Sequence, residues 1–134
     1  MYLLDTNVIS EVRKARPHGA VLAWLASVPD AQVFISAVTV GEIQAGIEIT
    51  REQDAPKAAA LELWLERVCD TWQVHVADAA VFREWARLKH RKAAHHLEDT
   101  LIAATASAHK LTVVTRNTKD FKAFGVALFN PFES

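Results

Sequence analysis

The sequence predicts an α/β fold, a parallel sheet covered by helices on both faces. Three observations lead there. Short apolar runs alternate with longer stretches of helical periodicity along the whole chain. The stretches between the runs are long enough to serve as crossover connections, which parallel strands require. The chain has 134 residues and is 51% apolar, enough for one core and short for two.

Residues 2–4 read as a buried strand ending at Asp5. Residues 7–14 look helical, and Pro17-His18-Gly19 breaks that helix. Helix resumes over 20–27, with Leu22 and Leu25 three apart. After the Pro29-Asp30 turn, 33–35 form a second strand. Ser36 caps a helix over 38–50, whose Val40, Ile43 and Ile47 fall on one stripe. Ala58, Leu61, Trp64, Leu65 and Val68 mark another amphipathic helix. Residues 74–76 are a third strand, and Asp78 is placed to cap a helix burying Val81, Phe82, Trp85 and Leu88. An Ala-rich helix covers 98–109, and a β-branched strand covers 111–115. A short helix over 118–124 and Gly125 lead to a last strand at 126–129. No repeat, low-complexity segment or linker divides the chain, so one domain is expected.

Bulk properties exclude some classes. No apolar stretch approaches the roughly 20 residues of a membrane span. The start MYLLDTNVIS lacks a basic lead, and Asp5 interrupts it, so it does not read as a signal peptide. The single Cys69 excludes an internal disulfide and suits a reducing compartment. A cytoplasmic protein is expected. The net charge of -1 gives no global pull on nucleic acid. Any such pull must come from local clusters: Arg13, Lys14 and Arg16; Arg87, Lys89, Arg91 and Lys92; Arg116, Lys119 and Lys122. Each also reads as solvated surface.

In an open parallel sheet, ligands gather beyond the carboxyl ends of the strands. Four acids lie near such ends. Asp5 follows the first strand directly, with Thr6 and Asn7 behind it, and also suits a helix N-cap. Glu42 lies one turn into the helix after the second strand, among Val38, Thr39, Ala45 and Gly46. A mid-helix Glu is usually solvated, yet small neighbours leave room for close packing or a ligand. Asp99 opens the helix that leads into the fourth strand, where the helix dipole also favours a carboxylate. Asp120 follows the fourth strand in the first turn of a short helix that Thr118 is placed to cap. Carboxylates crowded to about 5 Å repel by roughly 3 kcal/mol per pair at an effective dielectric near 20. A hard divalent cation neutralises such a cluster, and all-oxygen ligation suits Mg²⁺ or Mn²⁺ rather than zinc. That is the arrangement of metal-dependent nucleases.

These residues stand in segments that resemble the PIN-domain family, in particular its VapC-like toxins. LLDTNVISEV resembles the first motif, SAVTVGEIQAGI the second, and EDTLIAATASAHKLTVVTRNTKDF the third and fourth together. The resemblance implies a three-layer α/β/α sandwich with a parallel sheet of about five strands. It implies Mg²⁺- or Mn²⁺-dependent RNA cleavage leaving a 3′-hydroxyl and a 5′-phosphate. It implies Asp5 and Asp99 as main metal ligands, Glu42 as a direct or water-mediated one, and Asp120 completing the cluster. Asn7 and Thr115 would orient them, with Thr6 and Asn117 alongside. Many relatives carry an acid where this chain has Asn117. Arg13, Lys14, Arg116 and Lys119 are candidate contacts to RNA, and His95 and His96 are candidates for RNA or metal beside the plainer reading as a wet helix end. The resemblance further implies a homodimer and a DNA-binding antitoxin that blocks the cleft; the exposed sides of Trp24, Trp64 or Trp72 offer a dimer contact, and core packing explains them as well.

Three other readings compete. A phosphoacceptor receiver domain shares the sheet type, and Asp78 follows a strand. However, it needs paired acids after the first strand, where Leu4 precedes Asp5, and a Lys after the last, where Asn130-Pro131 stand. A haloacid-dehalogenase-like phosphatase wants a second Asp where Asn7 lies. A non-catalytic binding domain on the same fold would have no need of all four acids.

Overall fold

The computed structural model describes residues 1–91 and 96–133. Its five strands are β1 (Tyr2–Leu4), β2 (Val33–Ser36), β3 (Gln73–His75), β4 (Thr112–Val114) and β5 (Leu128–Phe129). They form one sheet in the order β3-β2-β1-β4-β5, and every neighbouring pair is parallel. The helices are α1 (Thr6–Val12), α2 (Gly19–Ser27), α3 (Ala37–Gln53), α4 (Ala55–Thr71), α5 (Ala79–Arg91), α6 (Leu97–His109) and α7 (Thr118–Phe121).

Strand periodicity divides the core into two layers. Leu3, Phe34 and Val113 share one face of the sheet and pack with Val81 and Leu88 of α5, Ile102 and Ala103 of α6, and Phe121 of α7. Leu4, Val33, Ile35 and Val114 share the other and pack with Val8 and Ile9 of α1, Val21 of α2 and Val68 of α4. Helices therefore cover both faces, the expected α/β/α sandwich. β1 is central, and its Leu3 and Leu4 are fully buried. A third cluster, Ile47, Ala58 and Leu65, joins α3 to α4. Asp54 both ends α3 and starts α4: its N–H donates to Thr50 O, and its carboxylate accepts the Lys57 N–H at 3.0 Å. Arg51 ties the same two helices by donating to Glu48 at 3.0 Å and to Glu62 at 2.7 Å.

The predicted caps at Ser36 and Asp78 are present. Ser36 Oγ accepts the Val38 N–H at 3.1 Å, and Asp78 Oδ1 accepts the Val81 N–H at 3.0 Å. Other expectations need correction. Phe82 is not buried but 47% exposed, because α5 turns only Val81 and Leu88 fully inward. β3 lies one residue earlier than expected. It is an edge strand with only β2 beside it, which leaves Val74 38% and Val76 65% exposed. The last strand begins at Leu128, not 126. The chain leaves the Lys122–Phe124 turn through Gly125 at φ +73°, a left-handed conformation that suits glycine, and Val126 is spent on that exit. The fourth strand is Thr112–Val114, shorter by a residue at each end. Thr118 is the first helical residue of α7 rather than its cap. Asn117 holds the cap position, without a side-chain bond. Trp24, Trp64 and Trp72 are half-buried against the second core layer, so most of their apolar area is already used within the chain. Among the described residues, no helix is long and apolar enough to cross a membrane.

Candidate active site

The strand order has a switch point between β1 and β4. The connection leaving β1 packs on one face of the sheet and the one leaving β4 on the other, so a crevice opens at their carboxyl ends. Asp5 stands at one lip and Thr115, Arg116 and Asn117 at the other.

Asp5 is a buried carboxylate with three donors. Its Oδ1 accepts the Thr6 N–H at 2.8 Å, which caps α1. Its Oδ2 accepts the Thr115 hydroxyl at 2.8 Å and the Asn7 amide at 3.2 Å. Asn7 Oδ1 in turn accepts the Arg116 N–H at 3.2 Å, and Thr115 Oγ1 accepts the Asn117 N–H at 3.0 Å. Asp5 is thus both cap and hub, and the four expected supporting residues all lie around it. Burial pushes its carboxyl up from the ordinary range, against the Thr115 and Thr6 bonds, and the charge of Asp120 adds to the rise.

The other acids feel one another across the crevice. Burial raises Glu42 first, then the charges of Glu98, Asp5 and Asp99, with Thr6 opposing. Burial also raises Asp99, followed by the charges of Asp5 and Asp120, while His96 lowers it. Folding therefore brings Asp5, Glu42, Asp99 and Asp120 into one electrostatic neighbourhood. Glu98 joins them as a fifth acid, legible in the sequence only as an alternative occupant of the helix start. His96 holds the N-cap of α6 and is exposed; His95 and Lys92 lie outside the described residues.

The donor set is oxygen only. The Thr6 hydroxyl is buried beside Asp5 and near the Glu42 carboxylate, whose rise it opposes. As they stand, no three of the described His, Cys, Asp and Glu residues could hold a metal ion by themselves. An oxygen-only donor set is the chemistry that hard divalent cations take.

The expected basic contacts divide. Arg116 is exposed at the lip, 4.2 Å over the Phe132 ring, and Lys119 is exposed on α7. Arg13 lies 5.8 Å over Trp64 at the end of α1. Lys14 is held by Glu11 at 2.9 Å. Glu11 is buried, accepts the His18 N–H at 3.0 Å, and is kept below the ordinary carboxylate range first by Lys14. Lys14 is paired with Glu11 while its side chain stays 57% exposed. Sequence reading missed this clamp, whose only signal is the i, i+3 spacing of Glu11 and Lys14.

The family model of the PIN domain matches residues 2–126. The chain belongs to the PIN-domain family. Among PIN-domain relatives, a protein named toxin FitB from Neisseria gonorrhoeae is 37% identical over 139 residues, covering 98% of this chain and 99% of its own. A protein named VapC ribonuclease Y4jK from Sinorhizobium fredii is 35% identical over 144 residues, covering 99% of each. The crystal structure of FitAcB from Neisseria gonorrhoeae superposes with a TM-score of 0.89 at 35% identity, covering 100% of both chains. The fold and the VapC-like kinship expected from the four motifs are both present.

The raised carboxyls give a pH expectation. A group whose pKa is higher folded than unfolded favours the fold below its ordinary pKa and loses that contribution as pH rises through the raised value. The ionised Asp5 is therefore a burden near neutrality that fades in mild acid. In metal-free protein, the stability of Asp5→Asn relative to the parent should fall as pH drops from neutral into the ordinary carboxylate range, measured by urea midpoints. A relative stability that rises over that window would contradict the raised Asp5.

Proposed function

We propose that this PIN-domain chain is a metal-dependent endoribonuclease acting as the toxin of a toxin–antitoxin pair in the cytoplasm. The observation that carries the reading is the buried Asp5 at the sheet's switch point, sharing one field with Glu42, Asp99 and Asp120. Kinship with proteins named VapC ribonuclease and toxin FitB supports it. No observation favours the receiver or phosphatase readings.

Asp5 and Asp99 would hold Mg²⁺ or Mn²⁺, with Glu42 and Asp120 completing the acidic set directly or through water. The ion, when bound, supplies neutralisation of the phosphodiester and of the charge that develops on it. Thr115 and Asn7 fix the orientation of the Asp5 carboxylate by donating to the same oxygen. Asn117 and Arg116 are fixed in turn by their backbone bonds to Thr115 and Asn7. Arg116 at the lip and Lys119 nearby would meet flanking phosphates. A cognate DNA-binding antitoxin would hold the cleft closed, and a second copy of the chain would complete the assembly.

The test is cleavage of RNA by the purified chain with millimolar Mg²⁺ or Mn²⁺ and with a chelator. Cleavage should require the ion, and products should carry a 5′-phosphate. The ion should also raise the melting temperature, since saturation at 100-fold over Kd is worth about 2.7 kcal/mol. RNA left intact in every metal, or cleavage untouched by chelation, would overturn the reading.

A further inference from the structure

Glu42 belongs to two places. Besides facing the other acids, it stands on the rim of a cavity of about 230 Å³ walled by α1 and α3 and closed by α4. The floor is apolar, with Ile47, Leu61 and Trp64. Arg13 lies over the Trp64 ring and makes no ion pair among the described residues, so a free cation sits at the wall. Thr6 lines the space too, with its buried hydroxyl beside the Glu42 carboxylate. Gly46 keeps the space open: a Cβ built there would meet nothing within 4 Å.

We infer that this cavity is a nucleobase subsite, taking the base of an RNA nucleotide next to the scissile phosphodiester. The inference rests on the ribonuclease reading above. A phosphodiester placed among the acids has a nucleotide on each side, and this concavity shares Glu42 and Thr6 with that position. Single-stranded RNA is read by splaying bases onto aromatic rings and guanidinium planes, and Arg13, held over the half-buried Trp64 ring, supplies a plane of the second kind. Phosphate contacts position a strand without reading it, so a base in this cavity is what would give the enzyme a sequence preference.

The test uses the full chain and an RNA pool of randomised sequence, with product ends sequenced. The parent should favour one base at a single position beside the cut. Gly46→Leu, which fills the cavity, should flatten that preference at least tenfold, and preferences elsewhere should persist. Gly46→Ala adds one methyl into open space, keeps the helix, and should give a smaller change of the same kind. Binding of an RNA hexamer of the favoured sequence in chelator, where the proposed reaction cannot run, or of a randomised pool if the parent does not cut, should weaken at least fivefold in Gly46→Leu. An unchanged preference in both folded variants would overturn the inference, and so would equal hexamer binding. A parent that cuts no RNA would sink the ribonuclease reading, with hexamer binding still deciding the subsite. Variants that lose antitoxin binding while keeping the RNA preference would give the cavity to a peptide and overturn a base subsite.

Discussion

Asp5→Asn should lower RNA cleavage at least about a thousandfold, equivalent to about 4 kcal/mol of lost transition-state stabilisation, while the protein stays folded. The carboxylate is the hub of the crevice, and no other acid is both buried and held by three donors. Stability should change little because two effects oppose. Losing the charge relieves burial and the repulsion from Asp120. Against that, the new amide brings a donor to a position where Thr115 and Asn7 already donate. Each effect is of order 1–3 kcal/mol, against a total stability of about 5–15 kcal/mol. Single-turnover cleavage and a thermal melt check both halves. Retained cleavage with a collapsed melt would show that Asp5 serves only as the cap of α1.

Phe121→Ala should have the largest effect on the fold, about 3–5 kcal/mol. Phe121 is fully buried in the layer formed with α6 and stands beside Phe124. α7 is only four residues long, so this ring anchors it far more than its own hydrogen bonds do. Asp120 precedes Phe121 and would lose its fixed place, so cleavage should fall along with the urea midpoint. A loss below about 1 kcal/mol would mean that the site around residue 121 collapses onto the remaining core.

The architecture was readable because the two periodicities are well separated. Leu3 and Leu4, or Val113 and Val114, can both be apolar only in a strand buried on both faces. Strand ends were less readable, since at the edges a single neighbour fixes the register. β3 slid by one residue for that reason, and β5 shortened because Gly125 had to turn the chain first. Phe82 misled because helical spacing alone does not say which part of an apolar stripe another element covers.

For the candidate site, Asp5, Glu42 and Asp120 were legible by their positions after strands, Asp99 by its place at a helix start, and Ser36 and Asp78 by cap chemistry. The convergence of Thr115 and Asn7 on one oxygen of Asp5 was not, because nothing local in the chain encodes a contact across 110 positions. The same holds for Glu98, whose field reaches Glu42 only after α3 and α6 pack. Lys14 stood in a basic run like any other, and only folding shows Glu11 beneath it.

The bond between Thr115 and Asp5 also has a consequence in time. The middle strand β1 is made before the strand β4 that completes its pocket. Until then Asp5 has no partner across the crevice, and closing so long a loop slows folding. Fragments ending before residue 112 should therefore lack the assembled crevice, however well their helices formed.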